Sequence, residues 1–197
     1  MTSAPHRPVI LGSTSPYRRE LLARLRIPFE VVAPLVDESP LAGETPRQLA
    51  CRLAVAKARA VASQHPHAVV IGSDQVADHA GTPLGKPLVH DVAVAQLRRM
   101  SGQEIVFQTA VAVVCLQSGF SGMELAQVQV RFRVLADAEI EAYLLAEQPY
   151  DCAGSAKSEG LGIALLDAIV NDDPTALVGL PLIRTCRLLR QAGVRLW

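Results

Sequence analysis

The segment Gly12-Ser13-Thr14-Ser15-Pro16 joins a short apolar run to a stretch of helical composition, and Arg18 and Arg19 fall in the first turn of that stretch. A strand–turn–helix junction points free backbone N–H groups and the positive end of the helix dipole at an anion. An arginine fork binds phosphate through parallel hydrogen bonds. Ser13, Arg18 and Arg19 are therefore candidate phosphate ligands, although a capped helix with two solvated arginines has the same sequence, since Ser-Pro helix starts are common. Asp37 and Glu38 lie in a loop, and Asp74 follows a buried-strand candidate, Ala68–Gly72, where open α/β sheets place ligand-binding groups. Magnesium takes one or two carboxylates plus substrate phosphates, so Glu38 and Asp74 are candidate ligands of a divalent cation, Mg2+ or Mn2+. The plainer alternatives are a solvated loop acid and an Asx turn. Lys57, in a long helix, and Lys86, in Gly85-Lys86-Pro87, can act as point charges on phosphate or be ordinary surface lysines. Gly-Lys here lacks the rest of the G-x-x-x-x-G-K-[ST] pattern, which excludes P-loop chemistry. Tyr17 offers a ring for stacking and Glu159, in a glycine-flanked loop, a carboxylate for a base edge. The five histidines form no metal or nucleophile–base pattern, and no G-x-S-x-G elbow is present.

The elements that must position these residues follow from periodicity. Val9–Leu11 and Phe29–Ala33 read as strands, and Thr45-Pro46 opens a helix to about Gln64, with Leu49, Leu53, Ala56 and Ala60 at helical spacing. The strand Ala68–Gly72 is expected to end at Ser73 and Asp74. Asp91 is expected to cap a helix to Met100, with Gly102 as its stop, and Asp137 another to Glu147. Ile105–Leu116, a turn at 118–122 and the alternation of Val128, Val130, Phe132 and Val134 predict a long antiparallel hairpin. A Gly- and Ser-bearing loop at 151–162, an apolar run at 163–169 and a helix at 180–191 complete the chain. The order predicts one α/β domain over residues 1–197, with a mixed, twisted sheet flanked by helices.

Composition narrows the function. The 197 residues are 50% hydrophobic, enough for one core, and 19 basic residues balance 19 acidic ones. A chain without net charge lacks the cationic field of a nucleic-acid binder, and eight aromatic residues give few platforms for successive bases. The longest apolar run, Ala110–Leu116, is far short of the roughly 20 residues of a membrane helix. The N-terminus lacks the apolar core and cleavage site of a signal peptide, so the expectation is a cytoplasmic enzyme without nucleic-acid or membrane partners. Cys51, Cys115, Cys152 and Cys186 form no C-x-x-C pair and are expected to be core or interface thiols.

Read together, Ser13-Thr14-Ser15-Pro16-Tyr17-Arg18-Arg19-Glu20-Leu21-Leu22, Val36-Asp37-Glu38, Ile71-Gly72-Ser73-Asp74-Gln75-Val76, Gly85-Lys86-Pro87 and Val178-Gly179-Leu180-Pro181-Leu182 resemble the Maf family of nucleotide pyrophosphatases, in the family's order and over nearly the whole chain. The resemblance implies a Maf/ITPase-like fold and hydrolysis of a nucleoside triphosphate to monophosphate and pyrophosphate. Ser73-Asp74-Gln75, Cys152-Ala153-Gly154-Ser155 and Lys157-Ser158-Glu159-Gly160 are similar to its YceF-like branch, for which 7-methyl-GTP is the implied substrate and Tyr17, Gln75 and Glu159 the implied specificity positions. Two positions depart from the pattern: Tyr17 stands where tryptophan is expected, and Ala110 where the family often has glycine. N7-methylation leaves a fixed positive charge on guanine, which favours an aromatic face and a carboxylate at its edge. The implied chemistry is water attack at the α-phosphorus, with Asp74 as metal ligand or proton acceptor, Glu38 as second ligand, and Ser13, Arg18, Arg19, Lys57 and Lys86 neutralising the triphosphate. A dTTP/UTP pyrophosphatase of the same family and a non-catalytic, nucleotide-responsive regulator of septation are the competing readings. The family also implies a possible homodimer.

Overall fold

Two apolar runs without alternation, around Val69–Ile71 and Val111–Val114, can be buried only between two layers, and they become the central strands of a sheet covered on both faces. The computed structural model describes residues 7–196; residues 1–6, on which the expected lack of a signal peptide partly rests, lie outside the described residues. In chain order the elements are β1 (Val9–Gly12), α1 (Pro16–Ala23), β2 (Glu30–Val32), α2 (Pro46–Ala62), β3 (Val69–His79), β4 (Thr82–Leu84), α3 (His90–Met100), β5 (Glu104–Cys115), β6 (Phe120–Phe132), α4 (Asp137–Glu147), β7 (Leu166–Val170) and α5 (Leu182–Gln191). The sheet order is β2-β1-β3-β5-β6-β7, with β4 on β3; β1 pairs parallel with β2 and β3, and the remaining pairings are antiparallel. This is the expected mixed α/β sheet flanked by helices. No helix of the described residues is long and apolar enough to cross a membrane.

Asp74 does not end its strand. β3 runs on to His79 because its ladder with β5 continues to Asp78 opposite Val106. On its other edge β3 pairs with β1 only as far as Gly72, and with β4 only from Ala77. Ser73, Asp74, Gln75 and Val76 thus lie in a gap along that edge, flanked by the end of β1. Strand alternation divides them between the two faces. Val70 and Val76 join the α2 layer, as does Asp74 through Lys57, whereas Ile71 belongs to the layer shared with α1 and α5.

The helix starts obey local capping rules only in part. Thr45 and Gln48 form a reciprocal capping box with Pro46 in the first turn, and Ser15 accepts from the Arg18 amide ahead of α1. The expected caps Asp91 and Asp137 are not caps: Val89 and Ala136 hold those positions without side-chain hydrogen bonds. Asp137 comes one residue and Asp91 two residues after the cap, both in the first turn, where their charge still suits the helix dipole, and Asp137 is drawn to Arg98 at 2.8 Å. The last helix begins at Leu182 rather than 180, since Thr175 Oγ1 and Asp173 Oδ2 accept from the Leu182 and Arg184 amides and define its first turn there. The apolar run at 163–169 divides into a 3-10 turn, Leu161–Leu165, and β7.

α2 crosses β3 at Gly72 with no space for a side chain. A Cβ there would lie 2.5 Å from the Ala58 amide nitrogen and against the Ala54 carbonyl, both backbone atoms of α2. Gly72→Ala must therefore push the helix off the sheet. Overpacking of this kind costs about 1–3 kcal/mol, so the urea midpoint of the variant is expected to fall with an unchanged m-value. A wild-type midpoint would mean that α2 yields freely and that the close approach is not required.

Candidate active site

The approach at Gly72 brings Lys57, on the inner face of α2, against Asp74. Lys57 Nζ lies 2.6 Å from Asp74 Oδ1 and 2.7 Å from Glu38 Oε1, so one ammonium joins a buried strand carboxylate to a carboxylate on the exposed loop before α2. Burial raises the Asp74 carboxyl above its ordinary value, and the charges of Lys57 and Arg18 offset this only in part. The second oxygens of Asp74 and Glu38 have no hydrogen bond among the described residues, and no group of three or more His, Cys, Asp or Glu comes together. Two converging carboxylates with free oxygens fit a hard divalent cation that takes its other ligands from phosphate and water.

Arg18 reaches the same cluster from α1. Its Nε donates to the Gly179 carbonyl at 2.8 Å, and its charge acts on both Asp74 and Glu38. The Gly179 carbonyl also accepts from Ser73 Oγ at 3.0 Å, and Gly179 itself has φ +118°, a conformation that L side chains rarely adopt. Ser13 is buried at the end of β1, where its Oγ accepts from the Ser15 amide at 3.1 Å and shapes the turn into α1.

One residue before Arg18, Tyr17 faces a different group of side chains. Its hydroxyl donates to Asp151 Oδ1 at 3.4 Å, and Lys157 Nζ stands 5.7 Å from the ring centroid. Glu159 is close enough to act electrostatically on the phenol, which burial, chiefly, together with Asp151, Glu159 and Cys152, drives well above its ordinary pKa. The loop that brings Lys157 and Glu159 here is pinned from α4. Tyr143 Oη accepts from the Lys157 amide at 3.1 Å, and Glu147 binds Lys157 Nζ at 2.8 Å and the Leu161 amide at 2.7 Å.

The structure thus gathers Arg18, Lys57, Glu38 and Asp74 at one end and Tyr17 with Glu159 at the other, while the Ser13 side chain is engaged by the Ser15 amide. Gln75 lines the gap on the opposite face from Asp74, where its Nε2 donates to Thr109 Oγ1 and to the Ala176 and Leu177 carbonyls. Arg19 is turned away: it is exposed and lines an outer groove with Thr14, Glu20, Ala23 and Val31. Lys86 is exposed on the loop after β4 and makes no ion pair with the cluster. Sequence reasoning missed Ser73 and Gly179 as the props of Arg18, Asp151 and Lys157 as neighbours of the Tyr17 ring, and Glu147 as the anchor of Lys157. All but Asp151 and Glu147 lie inside the quoted motifs, but their tasks are set by contacts over 100 residues away, such as Arg18 with Gly179.

The model of Maf-like proteins matches residues 8–192, and the chain belongs to the Maf family. Its relatives include three proteins named 7-methyl-GTP pyrophosphatase. That of Albidiferax ferrireducens is 72% identical over 99% of this chain and 98% of its own length. That of Polaromonas sp. is 74% identical over 97% and 87%, and that of Cupriavidus pinatubonensis 55% identical over 98% and 97%.

Cys152 sits in the Tyr17 group, and burial, then the Asp151 and Glu159 charges, push its thiol up to about 12. A raised thiol pKa means less thiolate, the reactive form, at any given pH. At pH 8 iodoacetamide is expected to modify Cys152 about a thousandfold more slowly in the folded chain than in urea, as read by mass spectrometry. Equal rates would show that the thiol does not feel its neighbours.

Proposed function

We propose that this chain, as one domain, hydrolyses 7-methyl-GTP to 7-methyl-GMP and pyrophosphate in the cytoplasm. The observation that carries the reading is the adjacency of Tyr17 and Arg18 at the start of α1. One ring and one guanidinium, consecutive in the chain, belong respectively to an aromatic–carboxylate pocket and to a cluster of cations and carboxylates. A nucleotide spanning the two would place its base on Tyr17, with Glu159 at the edge, and its phosphates near Arg18, Lys57 and Ser13. The names of the relatives support the same substrate.

In this reading Asp74 accepts the proton of the water that attacks the α-phosphorus. Its raised pKa makes it a stronger base than an ordinary carboxylate, and only one of its oxygens is engaged by Lys57. The new oxygen–phosphorus bond forms as the α–β bridge breaks, and pyrophosphate leaves. Lys57 and Arg18 compensate the charge that accumulates on the phosphates, with Lys86 and Arg19 drawn in only if their side chains turn toward the substrate. Where the free Asp74 oxygen instead serves with Glu38 to hold Mg2+ or Mn2+, the ion would add positive charge against the triphosphate. Gln75 holds the 176–177 carbonyls of the segment that leads to Gly179 and Arg18.

Pyrophosphate release should be measured on 7-methyl-GTP, GTP, dTTP, UTP and CTP with magnesium. A clear preference for 7-methyl-GTP is expected, and Asp74→Asn should lose at least about a hundredfold in kcat while keeping its circular dichroism. A preference for dTTP or UTP would overturn the substrate, and turnover by the variant near the wild-type rate would remove Asp74 from the chemistry. Glu159→Gln is expected to weaken 7-methyl-GTP hydrolysis more than GTP hydrolysis; an equal loss in kcat/KM on both would refute its role at the base.

A further inference from the structure

The ring face of Tyr17 is not free. Lys157 Nζ stands 5.7 Å from its centroid, inside the distance at which an ammonium is attracted to an aromatic quadrupole. That is the interaction a methylated, positively charged guanine would seek. We propose that Lys157 is a specificity-determining residue: an internal cation that holds the Tyr17 face and competes for it with the cationic base of the substrate. This inference rests on the reading of Tyr17 as the base platform.

Three features of the loop fit this task. The ammonium has somewhere to go, since Glu147 Oε1 already binds it at 2.8 Å and anchors it when the ring is taken. The backbone cannot follow the side chain. Tyr143 Oη holds the Lys157 amide, Glu147 Oε2 holds the Leu161 amide, and Gly162 lies so close to Lys157 that a Cβ would meet its backbone at 2.5 Å. The charges around the ring also require a counter-cation. Asp151 accepts from the Tyr17 hydroxyl, and Glu159 and Glu147 both act on Lys157. Without substrate, Lys157 balances these carboxylates; when a 7-methylguanine cation arrives, it takes over that balance while the displaced ammonium, still close by on Glu147, repels it. A neutral guanine is not repelled in this way. Lys157 therefore sets a ceiling on how strongly the pocket prefers the methylated base.

The test uses two substitutions with opposite expected signs. Lys157→Met keeps the aliphatic stem and removes the competing charge. Its KM for 7-methyl-GTP is expected to fall about two- to fivefold and the 7-methyl-GTP to GTP ratio of kcat/KM to rise. Lys157→Arg keeps the charge and should stay near wild type. Glu147→Gln weakens the alternative anchor while still accepting from the Leu161 amide, and should raise KM for 7-methyl-GTP; adding Lys157→Met should abolish that effect. Thermal melts establish that each variant is folded before its kinetics are read. An unchanged or raised KM in folded Lys157→Met, or a Glu147→Gln effect that persists without Lys157, would overturn the proposal. Wild type showing no preference for 7-methyl-GTP would instead overturn the substrate on which it rests.

Discussion

The absence of a side chain at Gly72 is the constraint on which the site depends. It lets the α2 backbone lie against β3, and one turn of that helix then carries Lys57 onto Asp74. An isolated carboxylate under this much cover would take up a proton, and an isolated ammonium would lose one. Placed 2.6 Å apart they sustain each other, and Glu38 adds a second negative partner from the solvent side. Such a pair is a poor investment for stability alone, since its desolvation offsets most of its attraction. What it does achieve is to keep a carboxylate and an ammonium, both buried, side by side with one carboxylate oxygen unengaged.

The second constraint is the interval on the β3 edge between Gly72, where β1 stops, and Ala77, where β4 begins. Four residues there retain β5 on one side and, among the described residues, have no strand on the other. Alternation then assigns unlike tasks to neighbours. Asp74 turns to α2 and joins the charged cluster. Ser73 and Gln75 turn to the 176–179 segment and bind its carbonyls. That segment in turn holds Arg18 through Gly179. The guanidinium is thus fixed by a loop that the strand's opposite face has ordered, and the two faces meet again where Arg18 acts on Asp74 and Glu38.

Much of this was legible in the sequence where the cause is local. The turn at Ser13, the helix after Pro16, the capped α2 and the long hairpin follow from residue types at fixed offsets, and the motif order pointed to Glu38 and Asp74, whereas Lys57 stood out only as a lysine within a long helix. The errors have local causes too. Ser73-Asp74-Gln75 read as a strand end because polar residues interrupt an apolar run, yet the strand persists since each of them finds a polar partner on its own face. Arg18 and Arg19 looked equivalent, but successive helix residues are rotated by about 100°, so only Arg18 meets Gly179. The Tyr17 surroundings were the least legible. Asp151, Lys157 and Glu147 reach the ring, or the lysine above it, only because α4 and the following loop fold back across the start of α1, and no spacing within the chain encodes that return.

The meeting of the two subsites on consecutive residues has a mechanistic consequence. α1 begins with Pro16 and a Ser15 cap, so Tyr17 and Arg18 sit in its most firmly specified turn and cannot move independently. On the proposed reading, a base stacked on Tyr17 would be placed one residue from the Arg18 guanidinium, which Gly179 already holds. Binding at a distance from the reacting phosphorus is useful for catalysis only when it aligns the reacting groups. Here the link between them is one peptide bond inside a helix. If the base sits on Tyr17 as proposed, its fit against Tyr17 and Glu159 is set at the same helix start that presents Arg18, so recognition of the base and placement of the phosphates share one short backbone segment.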